Sequence, residues 1–182
     1  GESRLVQLQG PAQSVLAAAS QLISRDWVHW FDAVDVVWLS GGNGAAEPVL
    51  RVAWNCPSDE VEVFEREVHL VARRYVLQQV SPTALGLLDG LPDLTVRVQP
   101  QAAAGLAQQL LSRPGLRIVQ IAALGVLHVY GTGADDIARS SDLQRQFEQT
   151  GGDWQSRHQP VRSGQGAEVQ WRQILLEEFQ RS

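Results

Sequence analysis

Apolar and polar positions along the chain follow two rhythms that take turns. In "RLVQLQGPAQSVLAAASQLI" the apolar Leu5, Val6 and Leu8 predict a strand. Pro11 then stands at a helix N1, and Val15, Ala19, Leu22 and Ile23 form a stripe at helical spacing. "VLRVAWNCPSDEVEVFEREVHLV" repeats the order: a strand over Val49–Trp54, Ser58 as N-cap with Asp59 and Glu60 behind it, then Val61, Phe64, Val68 and Val71 on one helix face. In "DLTVRVQPQAAAGLAQQLL" Pro100 takes the part of Pro11, and Leu106, Leu110 and Leu111 face inward until Pro114–Gly115 stops the helix. "GVLHVYGTGADDIARSSDLQRQFEQTGG" reads as strand, turn and one helix, closed by Gly151–Gly152.

Single strands are expected at Val76–Val80, Leu116–Ile121 and Trp154–Gln159, and Val28–Leu39 stays open between strand and helix. A closing helix is expected over Ala167–Arg181, with Ile174, Leu175 and Phe179 on one face. Loops fall at 40–48, 81–93 and 162–166. The order is β-α-β-β-α-β written twice. It predicts an α+β fold of two ferredoxin-like units, an antiparallel sheet with helices on one face and a C-terminal helix. The halves span about 1–81 and 93–160, and with no linker between them residues 1–182 are expected to form a single compact domain. The other face of such a sheet is left to solvent or to a ligand.

Composition narrows the function classes. An apolar share of 44% and a charged share of 19% are ordinary for a globular chain, and no apolar run is long enough to span a bilayer. Net charge is −5 and the arginines are scattered, which argues against nucleic acid. Cys56 is the single cysteine, so no internal disulfide or zinc cluster is available, and a cytoplasmic, reduced setting is expected. There is no secretory leader pattern and no methionine, which predicts a trimmed product or a piece of something longer.

Candidate chemistry is sparse. "GTGADD" has an aspartate, Asp136, where a third phosphate-loop glycine belongs, and its acidic pair would repel a pyrophosphate; a turn and a helix cap explain it. "SGGNG" at 40–44 reads as a flexible turn, and Cys56 as a buried structural thiol. Glu60, Glu62, Glu65 and Glu67 read as a solvated helix face, and the four histidines share no metal-ligand spacing. Arg51, Arg97 and Arg117 each sit in a strand between apolar neighbours. They either point to a solvated sheet face or clamp a carboxylate or an adjoining domain. Trp27, Trp30 and Phe31 crowd one segment, as core or as a docking surface.

Three segments, "RLVQLQGPAQSVLAAASQLIS", "GVLHVYGTGADDIARSSDLQRQFEQTGGDW" and "AEVQWRQILLEEF", resemble the C-terminal cap (substrate) domain of FAD-linked oxidases of the vanillyl-alcohol-oxidase type. The likeness is nearest to the FAD-binding subunit of glycolate oxidase. It covers nearly the whole chain by order of elements, and no single motif carries it. In catalytic relatives one strand reads roughly G-H-x-G-D-G-N-L-H and helps to bind a metal. Here the matching run is "QIAALGVLH", in which Gly125, Leu127 and His128 survive while Ile121 and Leu124 replace the first histidine and the aspartate. No metal is therefore expected.

The family's FAD-binding domain, with its glycine-rich loop, has no counterpart in the sequence. The resemblance thus implies a cap over the flavin of a 2-hydroxy-acid (glycolate-like) oxidoreductase. FAD would be held by a partner domain or subunit, and this chain alone would bind no flavin and turn over nothing. Arg51, Arg97, Arg117 and His128 are the implied contacts to a small hydroxy acid. The alternative is a non-catalytic ferredoxin-like interaction or small-ligand-binding module; in either case no nucleic acid partner and no membrane span are expected.

Overall fold

The computed structural model describes residues 1–24, 31–41, 44–45, 47–81, 90–122, 124–149 and 152–157. In chain order the elements are β1 (Glu2–Gln9), α1 (Ala12–Ser24), β2 (Ala33–Gly41), β3 (Gly44–Ala45), β4 (Val49–Cys56), α2 (Val61–Arg74) and β5 (Gln78–Val80). They continue with β6 (Leu94–Arg97), α3 (Pro100–Leu110), β7 (Arg117–Ile121), β8 (Val126–Tyr130), α4 (Ala134–Arg139), α5 (Ser141–Gln149) and β9 (Asp153–Ser156). Eight strands lie edge to edge in the order β5-β1-β4-β2-β7-β8-β6-β9, with β3 pairing only β2, and all pairings are antiparallel. The fold is α+β. The expected closing helix 167–181 and loop 162–166, with Trp27, His29, Trp30 and His158, lie outside the described residues.

Alternation sorts the strand residues onto two faces. Val6 and Leu8 of β1, Val36 and Trp38 of β2, Leu50, Val52 and Trp54 of β4, Ile118 of β7 and Leu127 and Val129 of β8 are buried on one of them. All five helices among the described residues contribute to the same cluster, for example Val15 and Leu22 from α1, Phe64 and Val68 from α2, Leu106 from α3, Ile137 from α4 and Phe147 from α5. Helical spacing explains α1, where Val15, Ala18, Ala19 and Leu22 all point inward. The larger apolar cluster runs through both halves of the chain. The halves meet at β2 and β7, paired from Asp35↔Ile121 to Leu39↔Arg117. On the helix side Trp38 Nε1 donates to Gln120 Oε1 across that seam at 3.1 Å.

Several local expectations are corrected. Pro57 to Glu60 forms a turn, so the N-cap of α2 is Glu60, without a side-chain cap bond, and not Ser58. Asp135 and Asp136 lie within the first turn of α4 behind N-cap Gly133. They suit the positive helix end there but do not cap it. The single helix expected after "GTG" is two, because Ser140 adopts an extended backbone (φ −74°, ψ 111°) that bends the chain. The bend lets Ile137 and Ala138 of α4 and Leu143 and Phe147 of α5 reach the same cluster. The ambiguous stretch 28–39 is a strand from Ala33 onward.

The strand expected from Val76 starts at Gln78, because Val76 belongs to the end of α2. Leu77 N–H donates to Ala72 O and Val76 takes φ 55°, a left-handed helix stop that glycine ordinarily fills. Val76 is 81% exposed, so its side chain contributes almost no packing to offset that backbone cost. Val76→Gly is expected to stabilise the fold by about 0.5–1 kcal/mol, the left-handed penalty less glycine's extra chain entropy. Thermal unfolding of the two proteins measures it.

Candidate functional site

All four residues implicated by sequence lie on the sheet face away from the helices. The register places Gln7, Arg51, Asp35, Ile121, Val126, Arg97 and Asp153 in one row across seven strands. The adjacent row runs Gln9, Val49, Val37, Val119, His128, Thr95 and Gln155, and Arg117 sits beyond it opposite Tyr130. Val37, Val49 and Val119 form a second, small apolar cluster here, with Leu39, Val80 and Tyr130 packed against it. This face is therefore buried at its centre, not uniformly polar.

The arginines separate by environment. Arg97 pairs with Asp153 at 3.2 Å, both side chains about half exposed, and such a rim pair is worth roughly 0–1 kcal/mol. Arg117 is exposed at the start of β7. Arg51 differs, because its Nε donates to Asp35 Oδ2 at 3.2 Å and Nη2 makes a second, shorter bond to the same oxygen. Asp35 is buried and Arg51 only partly so. Asp35 is the residue that sequence reasoning missed. A lone carboxylate in the apolar run "AVDVVWL" signals a buried charge that needs a cross-strand partner, and Arg51 is that partner. Gln7, on the other flank of Arg51, is buried with Oε1 unpartnered among the described residues.

His128 and Tyr130 follow each other on this face. Burial lowers the imidazole pKa from its ordinary 6.5; nearby Asp35 opposes the shift and Arg97 adds to it. Burial likewise raises the Tyr130 phenol, against Arg51 and with Asp35 and Asp93. At neutral pH the pair is a neutral imidazole beside a protonated phenol. Below pH 6.5 the unfolded chain takes up a proton at His128 that the folded protein resists. Stability is thus fully present above 6.5, falls as pH drops toward the folded-state value, and levels off beneath it. Urea unfolding across this range is expected to show the slope in the wild type and to lose it in His128→Gln.

These side chains meet at a cleft of about 480 Å³, lined by Asp35, Arg51, His128 and Tyr130 on the polar side. Phe31, Ala33, Val34, Val119, Ile121, Leu124 and Ile23 of α1 supply the apolar side, and Asp32 is exposed on its lip. Phe31 is held by edge-on contacts to Trp54 and Phe64, at 6.1 and 5.9 Å between centroids. Arg97 and Arg117 share the face but not the cleft. A smaller groove of about 230 Å³ lies between α3 and α5 and has no ionisable group in its lining.

Comparison with family models, with curated proteins and with solved structures returns no match. Gly131 N–H donates to Asp93 Oδ2 at 2.9 Å, and a Cβ at Gly131 would lie 2.3 Å from Gly115 O. This closes the "GTGADD" turn against its neighbours, and with Asp135 and Asp136 in the next helical turn the loop does not fit a pyrophosphate. His128 is the one imidazole among the residues that line the cleft. Among the described residues no three His, Cys, Asp or Glu side chains converge, and no helix is long and apolar enough to cross a membrane. Burial, with Glu60 and Glu2, pushes the Cys56 thiol up, the reverse of nucleophile activation.

Proposed function

We propose that this chain is the cap, or substrate, domain of a flavin-dependent 2-hydroxy-acid oxidoreductase, inactive by itself, with FAD held by a partner domain or subunit. One observation carries the reading. Ile121, Leu124 and His128, the positions that match the family's metal-and-substrate strand, line a single cleft together with Arg51. The strand order supports it as well: β1, β2, β4 and β5 run 4-1-3-2 within their half, and β6 to β9 run the same way in theirs. We read these halves as two ferredoxin-like units joined edge to edge.

In this reading the flavin supplies the two-electron oxidation and the chain binds and orients the acid. Among the described residues Arg51 Nη1 has no hydrogen-bond partner, so that edge of the guanidinium is available to a carboxylate while Asp35 fixes the other. Neutral His128 offers a lone pair to the substrate hydroxyl, and Tyr130 offers a phenolic proton. The alternative is a non-catalytic module that takes a small ligand in the same cleft. The coding sequence upstream of Gly1 distinguishes the two. An in-frame FAD-binding domain of about 200 residues, an ordinary domain size, is expected. A start codon immediately before Gly1 contradicts the cap reading.

A further inference from the structure

We infer that the cleft selects 2-hydroxy acids with a bulky apolar side chain, branched aliphatic or aromatic, over glycolate. The inference rests on the hydroxy-acid reading above and specifies the substrate class of the same site. Three observations converge on it.

The first is size. At about 480 Å³ the cleft falls within the roughly 300–1,000 Å³ of sites that enclose drug-sized ligands, and glycolate fills only a corner of it. The second is the wall. Ile23, Phe31, Val34, Val119, Ile121 and Leu124 give the cleft an apolar side with nothing for a second polar substituent to bond. Ile121 and Leu124 set apolar surface in the same cleft as His128.

The third is charge. Asp35 offsets Arg51, burial keeps His128 neutral and Tyr130 protonated, and Asp32 adds a negative charge at the lip. The head group of an anionic ligand therefore gains hydrogen bonds from Arg51 but little net attraction. The affinity that separates one hydroxy acid from another must come from burying its side chain, which glycolate lacks.

Calorimetric titration of the chain with 3-phenyllactate and with glycolate tests this, together with kcat/KM for both acids in the assembled flavoprotein. Phenyllactate is expected to bind roughly ten- to a hundredfold more tightly, the range for burying one large apolar group. Leu124→Asp should erase most of that advantage; Leu124 is 64% exposed, so the variant should fold. Equal affinities, or a phenyllactate affinity unmoved by Leu124→Asp, overturn the inference. If the assembled flavoprotein oxidises glycolate in preference, the inference falls and the hydroxy-acid reading stands. If phenyllactate binds in the expected way but leaves the flavin oxidised, the cleft's selectivity stands and the redox reading falls. If neither acid binds, both fall.

Discussion

Phe64→Ala is expected to destabilise the protein by about 3–5 kcal/mol, the range for deleting a fully buried aromatic ring and leaving a cavity. Phe64 points from α2 into the sheet, 1% exposed, stacked on Trp54 at 6.1 Å and 14° and edge-on to Phe31. None of these neighbours can collapse into the space without breaking its own ring contacts. The loss should therefore lie toward the upper end of that range. Phe31 also lines the cleft, so the same substitution should loosen one wall of the site. Leu70→Ala is the control on the same helix: Leu70 is half exposed, and a surface change of this kind stays within about 0.5 kcal/mol. Urea unfolding of the three proteins reads both numbers. A cost for Phe64→Ala as small as that for Leu70→Ala would show that the three-ring cluster does not form.

Gly125→Ala is expected to cost about 2–4 kcal/mol, combining a left-handed backbone, a steric clash and a lost hydrogen bond. Gly125 turns the chain between β7 and β8 with φ 64°, and a Cβ there would lie 2.2 Å from Val98 O and 2.9 Å from Pro100 N. Those are backbone atoms and cannot rotate away. Val98 N–H also donates to Gly125 O at 3.0 Å, so moving apart to relieve the clash sacrifices that bond. The turn carries Leu124 on the cleft wall, and the variant should weaken ligand binding along with stability. An unchanged unfolding midpoint would contradict the turn geometry.

The strands were legible in the sequence because one face of each is apolar, and alternation records that directly, as in Val6 and Leu8 or Leu127 and Val129. Pro100 marked the first turn of α3 because a proline costs nothing where the helix has no carbonyl to offer its N–H. Helix ends were less legible. Ser58 is the better cap by residue type, but the turn in which Glu60 N–H donates to Pro57 O decides the start. The break at Ser140 was hidden because Ser-Ser-Asp is compatible with either a continuous helix or a new start.

The site was half legible. Arg51 and His128 stood out as polar residues in apolar strands, but their convergence depends on register, which the sequence does not print. Asp35 is 16 residues from Arg51 and meets it only because β2 and β4 pair with those two residues opposite each other. Arg97 and Arg117 have the same local sequence signature as Arg51, yet strand order sends them to an exposed ion pair and an exposed strand start.

Flavin spectra of the chain alone, and after assembly with an FAD-binding domain or subunit, decide whether a hydroxy acid held by this chain meets FAD held by a partner. The purified chain should be colourless, and the assembled protein yellow and bleached under anaerobic conditions by a 2-hydroxy acid. Arg51→Gln should slow that bleaching without releasing flavin. Flavin retained stoichiometrically by the chain alone, or an assembled flavoprotein that no 2-hydroxy acid reduces, would rule out a cap domain of this kind.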